Sequence, residues 1–392
     1  MKTITITGIL VFLTIFSAKS QHSIDSILTS IERNNTTLTA MRNQADAEII
    51  KSRTGIYLQN PEFGINYLWG NPALIGNRTD LSVMQTFDFP TSYVYKSKIA
   101  DIQKNQTELQ FQSEKRRILL KANLLCIEIT YINKLQYEYK KWLINAQELA
   151  QSYKAKFEAG DINILEYNKS QLNLLTAKKE SQLLEVDKQL YIAELSAMNG
   201  GTPVLLNDTV YPVKILPTDF ELWYSKAEEL CPEMQWFKQE NEICKMKEKL
   251  NVSMSLPKFT TGYMSENNPG QKFQGVSVGM SIPLWENKNN VKFAKANITA
   301  VLSLETDYKV ILRNKLKTLF DKSVVMHKTL KDYGQILTSV NSTDLLAKTL
   351  NQGEISLIEY LMELNIYFSS IREYLDSEKE YYITVTEMMS YN

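Results

Sequence analysis

The sequence predicts a mainly helical protein with a small β part, built from two copies of one unit. The first observation behind this is an echo: Gly160-Asp161-Ile162-Asn163-Ile164-Leu165-Glu166-Tyr167 returns as Gly353-Glu354-Ile355-Ser356-Leu357-Ile358-Glu359-Tyr360. The second is its register, because each glycine follows a proline that closes a strand-like run, Pro90 and Pro283, by the same 70 residues. An octapeptide match arises by chance, whereas a match that keeps its distance to a second landmark marks a repeated unit. Each unit reads as a helix, a strand hairpin and a very long helical hairpin turning at its glycine. The boundaries are 1–20 for a signal peptide, 21–200 for the first copy, 201–218 for a linker and 219–392 for the second copy.

Composition narrows the function. Lys and Arg number 44 against 44 for Asp and Glu, so no net charge draws the chain to nucleic acid. Glycine (14) and proline (10) are scarce for 392 residues, which suits long helices with few turns. Only two His and three Cys are present. His22 stands near the mature terminus and His327 on a long helix, with no nucleophile elbow, phosphate loop or clustered ligand set. An enzyme, a cofactor and a metal site are therefore not expected. The thirteen Met residues are scattered, which gives no copper or silver relay and leaves Met264 and Met280 a core or lipid-facing role. Cys126, Cys231 and Cys244 fall in helix-patterned sequence and are expected as buried free thiols.

The N-terminus reads as an address. Lys2, the apolar stretch Ile4 to Phe16 and the small-x-small site Ala18-Lys19-Ser20 form a signal peptide, placing the mature start near Gln21. No Cys follows for lipid attachment. Ser23 to Leu58 is predicted as helix with Ser23 as cap and Asn60-Pro61 as stop, interrupted at Asn34-Asn35-Thr36-Thr37. The period then changes to two. Phe63, Ile65, Tyr67 and Trp69 share one face, a turn-rich stretch follows, and Leu81, Val83, Phe87 and Phe89 alternate with polar residues. The second copy repeats the order: helix from Leu222 to Val252, a strand through Phe259, Thr261 and Tyr263, and a return with Val276, Val278, Met280 and Ile282 on one face and Gly275, Ser277, Gly279 and Ser281 on the other.

Length, alternation and the aromatics near the ends (Tyr67, Trp69, Phe87, Phe89, Trp285) fit transmembrane barrel strands of about 9–11 residues. Lipid leaves an open sheet edge unsatisfied, and the smallest barrels have about 8 strands. Four strands cannot close, so on this reading the chain oligomerises. The competing reading is a periplasmic coiled-coil scaffold or adaptor with a small soluble β domain.

Helix on a large scale follows each hairpin. From Ser92 to Phe157, apolar residues such as Ile118, Ala122, Leu125, Ile129, Ile132 and Leu135 recur in steps of three and four, the spacing of a coiled coil. At ~1.5 Å per residue that helix would extend on the order of 100 Å. Leu165, Leu172, Leu175, Leu183, Val186 and Leu190 run back, and the second copy goes out through Val291 to Val340 and returns from Leu357 to Val385. Asn199-Gly200-Gly201-Thr202-Pro203 ends the first copy, and the linker before the Asp219 cap is expected as a hinge on the outside.

These features together resemble the TolC family of bacterial outer-membrane efflux and export channels. The resemblance covers essentially all of the mature chain. It rests on the repeat, on the hairpins ending at Phe89-Pro90 and at Ser281-Ile282-Pro283-Leu284-Trp285, and on the tips Phe157-Glu158-Ala159-Gly160 through Leu165-Glu166 and Leu350-Asn351-Gln352-Gly353 through Ile358-Glu359. It implies a homotrimer whose four strands per chain form a twelve-stranded barrel in the outer membrane, continuous with a helical barrel in the periplasm. The implied role is a passive conduit in tripartite efflux or type I secretion, meeting a periplasmic adaptor and an inner-membrane pump. By resemblance, Gly160, Asp161, Gly353 and Glu354 are the adaptor contacts, and Pro90 and Pro283 mark the barrel-to-helix transitions. Phe63, Ile65, Tyr67, Trp69, Leu81, Val83, Phe87, Phe89, Val276, Val278, Met280 and Ile282 are the lipid-facing positions. Threefold symmetry would gather Asp161, Glu166, Glu354 and Glu359 as acid rings at the periplasmic aperture, although a helix N-terminus also favours an acid at Glu166 and Glu359. Family members often carry a glycine soon after the second strand-closing proline, where this chain has Glu286-Asn287-Lys288-Asn289.

Overall fold

The computed structural model describes residues 24–339 and 343–391. The signal peptide, the start near Gln21, the Ser23 cap and the seam residue Val340 lie outside the described residues. The elements run α1 (Ile24–Asn34), α2 (Thr36–Ser52), β1 (Glu62–Leu68), β2 (Arg78–Phe87), α3 (Pro90–Glu158), α4 (Ile164–Met198), α5 (Phe220–Leu230), α6 (Pro232–Met254), β3 (Lys258–Asn268), β4 (Gln271–Ser281), α7 (Asn290–Ser339), α8 (Thr343–Gln352) and α9 (Leu357–Met389). Among the described residues no helix is long and apolar enough to cross a membrane.

Local chemistry sets the breaks. Asn35 caps α2 by accepting from the Leu38 N–H at 2.8 Å, so the expected interruption is a true helix boundary. The predicted helix to Leu58 stops at Ser52 instead, because Gly55 takes a left-handed backbone (φ 74) and the Arg53 and Thr54 N–H groups fold back onto Ile50 and Lys51. The predicted helix Leu222–Val252 is likewise two. Pro232 opens α6 and keeps Cys231 extended (φ −62, ψ 115), since the proline ring excludes its predecessor from helical backbone. Pro90 is the first residue of α3, where a missing N–H has no partner to lose.

The four strands make one antiparallel sheet in the order β1-β2-β3-β4, so the hairpins of the two sequence copies pair through β2 and β3. By contacts the chain forms two compact units, each drawing on both copies: one comprises the described residues up to Asn34 with Ala122–Val213 and Gly334–Lys379, the other Asn35–Lys121, Lys214–Tyr333 and the described residues from Glu380. The sheet belongs to the second. That unit's core joins Phe220, Trp223, Tyr224 and Ala227 of α5 to Leu312 and Leu316 of α7 and Met388 of α9. Each Phe, Leu or Met side chain taken from water contributes roughly 1.5–3 kcal/mol.

In the first unit, the segment expected as an outside hinge is pinned. Val204, Leu206 and Tyr211 are buried. Asn133 of α3 donates to the carbonyls of Leu206 (3.0 Å) and Asp208 (2.9 Å), and Lys134 lies 4.6 Å over the Tyr211 ring. An extended segment has no internal ladder, so a side chain from the neighbouring helix satisfies its carbonyls. The three cysteines are free and buried, and burial pushes the Cys126 thiol up to about 12.

Candidate functional site: two helical tips and a two-faced sheet

Both hairpin tips use one backbone device. Gly160 (φ 81) and Gly353 (φ 76) end their helices in left-handed conformation. The next N–H reaches back five residues, Asp161 to the Lys156 carbonyl at 2.9 Å and Glu354 to the Thr349 carbonyl at 3.0 Å. This closure satisfies helix-end carbonyls that would otherwise lack donors. A Cβ at either glycine would meet nothing within 4 Å, so the demand for glycine is conformational rather than steric.

The returning helices start differently. Asn163 caps α4, its side-chain oxygen accepting from the N–H groups of Leu165 (2.9 Å) and Glu166 (3.1 Å). At the second tip Ser356 and Glu359 form a reciprocal box: the Ser356 N–H donates to the Glu359 carboxylate at 2.8 Å and the Glu359 N–H to Ser356 Oγ at 3.3 Å. The Ser356 backbone N–H, followed by its hydroxyl, holds the Glu359 carboxyl below the usual carboxylate range. Asp161, Glu354 and Glu359 are exposed and Glu166 half-buried.

The two tips meet. Ile162 and Ile355, each two residues after its glycine, pack against one cluster made of Leu149 and Tyr153 of α3 with Leu357, Tyr360, Leu364 and Phe368 of α9. Tyr360 is 1% exposed, and its hydroxyl donates to Asn145 Oδ1 at 2.7 Å. Its counterpart Tyr167 stays half-buried, stacked on Phe157 with ring centroids 5.0 Å apart. Sequence reasoning missed the Asn163 cap, the Ser356–Glu359 box and the Tyr360–Asn145 bond. The first two carried a legible signal, an Asn or Ser three residues ahead of a Glu.

At the sheet, the register sorts the strand residues by face. Phe87, Phe259 and Met280 form one cross-strand row, Phe63, Val83, Tyr263 and Val276 a second, and Ile65 and Leu81 a third whose β3 and β4 members, Ser265 and Gln274, are polar. The other face carries Gly64, Ser82, Met264 and Gly275 in one row and Glu62, Met84, Gly262 and Ser277 in the next. Met264 thus lies opposite the apolar face, a correction to the shared role expected for it and Met280, because its register partner is Ser82. A Cβ on Gly262 would come within 2.4 Å of Met84 Sδ, so that methionine lies across the glycine. Trp69, Phe89 and Ile282 flank the strands rather than belong to them. Pro90 opens α3 three residues after the end of β2, whereas Pro283 stands two residues after the end of β4 with Leu284–Asn289 intervening before α7. Among the described residues the apolar face is largely open, with Phe63, Ile65, Val276 and Val278 exposed and Leu81, Phe87 and Phe259 half-buried, and β1 and β4 each pair on one side only.

No protein-family profile and no curated protein matches the sequence. Solved structures do. A membrane protein from Pseudomonas aeruginosa superposes with a TM-score of 0.79 at 12% identity, covering 94% of this chain and 92% of that one. The CmeC outer membrane channel of Campylobacter jejuni gives 0.75 at 12% identity, covering 94% and 85%. The outer membrane protein VceC of Vibrio cholerae gives 0.74 at 9% identity, covering 94% of each. With its four-stranded sheet and paired helical tips, this chain has the fold of the bacterial outer-membrane channels of the TolC type.

Proposed function

We propose that this chain is the outer-membrane channel of a tripartite efflux or type I secretion system, a passive conduit from periplasm to exterior. The observation that carries this reading is a sheet whose apolar face is largely open and whose two edges lack partners among the described residues. In lipid such edges must pair, and pairing β1 of one copy with β4 of the next closes a barrel without new sequence. Three copies supply twelve strands, the number implied by the resemblance. Phe63, Ile65, Tyr67, Leu81, Val83, Phe87, Val276, Val278 and Met280 then face lipid, and the glycine- and serine-rich face lines the pore. Trp69, Phe89 and Ile282 continue that surface beyond the strand ends.

The helical part extends into the periplasm, where the joined tips present Gly160, Asp161, Gly353 and Glu354 to an adaptor that links to an inner-membrane pump. Asp161, Glu166, Glu354 and Glu359 recur around the symmetry axis and favour cations at the aperture. Cargo is chosen by pump and adaptor, and the channel itself performs no catalysis.

Membrane extraction and conductance test this together. The full chain is expected to leave membranes only with detergent, to run as a trimer by light scattering, and to conduct in a planar bilayer. Release by washing as a water-soluble monomer would overturn the channel and favour the periplasmic scaffold.

A further inference from the structure

The two sequence copies leave the sheet differently. Helix α3 starts at Pro90, directly after the first hairpin, whereas Leu284–Asn289 form an extra loop after the second. That loop is braced. Lys258 Nζ reaches Glu286 at 2.9 Å, the Asn287 side chain donates to the Met254 carbonyl at the end of α6, and the Asn251 side chain donates to the Asn290 carbonyl at 3.2 Å. Within it the Lys288 N–H closes onto the Trp285 carbonyl at 3.2 Å. Asn289 completes the turn as the one described non-glycine residue with a left-handed backbone (φ 69), a conformation Asn tolerates better than most residues.

The braced loop nevertheless holds its apolar side chains in the open. Leu284 is 69% exposed, Trp285 79% and, one turn into α7, Phe293 72%. Covering each would be favourable because apolar surface leaves water, and a loop tied at both ends does not fold them inward. Lys288 and Lys292 stand exposed among them. The loop also continues β4, whose Val276 and Val278 are 86% and 80% exposed. Trp and Leu beside Lys match the boundary between acyl chains and phosphate headgroups, where a lysine stem can lie along apolar surface with its charge in water.

We propose that Leu284–Asn289, together with Phe293, is an interfacial foot seated in the phospholipid leaflet at the helix end of the sheet. Leu284, Trp285 and Phe293 lie at headgroup depth, Lys288 and Lys292 meet lipid phosphates, and the foot fixes how deep the sheet enters the bilayer. This rests on the reading that the sheet's apolar face meets lipid.

The test is nitroxide depth measurement on the full chain in phosphatidylethanolamine/phosphatidylglycerol vesicles, with Trp285→Cys, Phe293→Cys, Val278→Cys and, as an aqueous reference, Tyr137→Cys. Wild-type protein checks that the buried native thiols stay unlabelled. Labels at 285 and 293 are expected to show nickel-chelate collision several-fold below the reference with oxygen collision between the reference and 278, and the label at 278 to show the highest oxygen and lowest nickel collision. Water-like values at 285 and 293 with lipid-like values at 278 remove the foot and leave the channel reading standing. A 285 label immobile and shielded from both agents means that a second copy covers the loop, which also overturns the proposal. Water-like values at 278 as well remove both. Should Trp285→Cys fail to insert, Phe293→Cys decides the same question.

Discussion

The two hairpin tips begin from nearly one sequence and end in different structures. Both close on a left-handed glycine with the same five-residue reach, yet Tyr360 is swallowed by the cluster of α3 and α9 while Tyr167 rests half-open on Phe157. The turn is local, set by backbone torsions and hydrogen bonds a few residues apart. The fate of the tyrosine is not local, because it depends on which helix lies alongside. Asn145, 215 residues away, supplies the acceptor that lets a phenol be buried without an unsatisfied hydroxyl. A repeated motif therefore repeats its turn more faithfully than its packing.

Removing the two tyrosines tests that contrast most strongly. Tyr360→Ala empties a fully buried site and is expected to destabilise the helical tip by about 3–5 kcal/mol, whereas Tyr167→Ala loses a partly exposed stack worth about 0.5–1.5 kcal/mol. Urea midpoints followed by helical circular dichroism would read the difference, and equal shifts would erase the distinction between the tips. The glycines should instead behave alike. Gly160→Val and Gly353→Val each force a β-branched residue into left-handed backbone, at about 1–2 kcal/mol. Export is expected to fall while the oligomer persists on gels, and loss of the oligomer would make these glycines folding residues for the whole assembly.

The smallest effect separates the helix starts by pH. The Glu359 carboxyl is held below its ordinary range, so its share of the capping box is fully present above the unfolded pKa and is lost as pH falls through the lower folded value. Asn163 does not titrate. Amide hydrogen exchange over 357–361 should therefore quicken, beyond its intrinsic pH dependence, as the medium becomes acidic, while exchange over 165–169 shows no such excess. Glu359→Gln should abolish the difference.

Much of this was legible before any coordinates. The period-two runs located all four strands, and their alternation anticipated a face on which Phe63, Val83 and Val276 share a row. The step of three and four located α3 to within two residues. Misreadings gather where one residue outvotes a pattern: Gly55 stops α2 short of an apolar stretch that still reads as helix, and Pro232 cuts an otherwise continuous helical period. The linker is legible only in part. Its prolines and lack of periodicity describe an unstructured segment correctly but say nothing of Asn133 on a distant helix that ties it down.

What the sequence determined by itself is thus whatever depends on near neighbours: helix and strand periods, the glycine turns and the two-faced character of the strands. These follow from torsional preference and side-chain spacing, which act within about one turn or one pleat. Tertiary structure alone decided that β2 pairs with β3 across the two copies, that each compact unit mixes both, and that Tyr360 rather than Tyr167 is buried. Burial is a property of what surrounds a residue. No spacing along the chain encodes it until the long helices have chosen their neighbours.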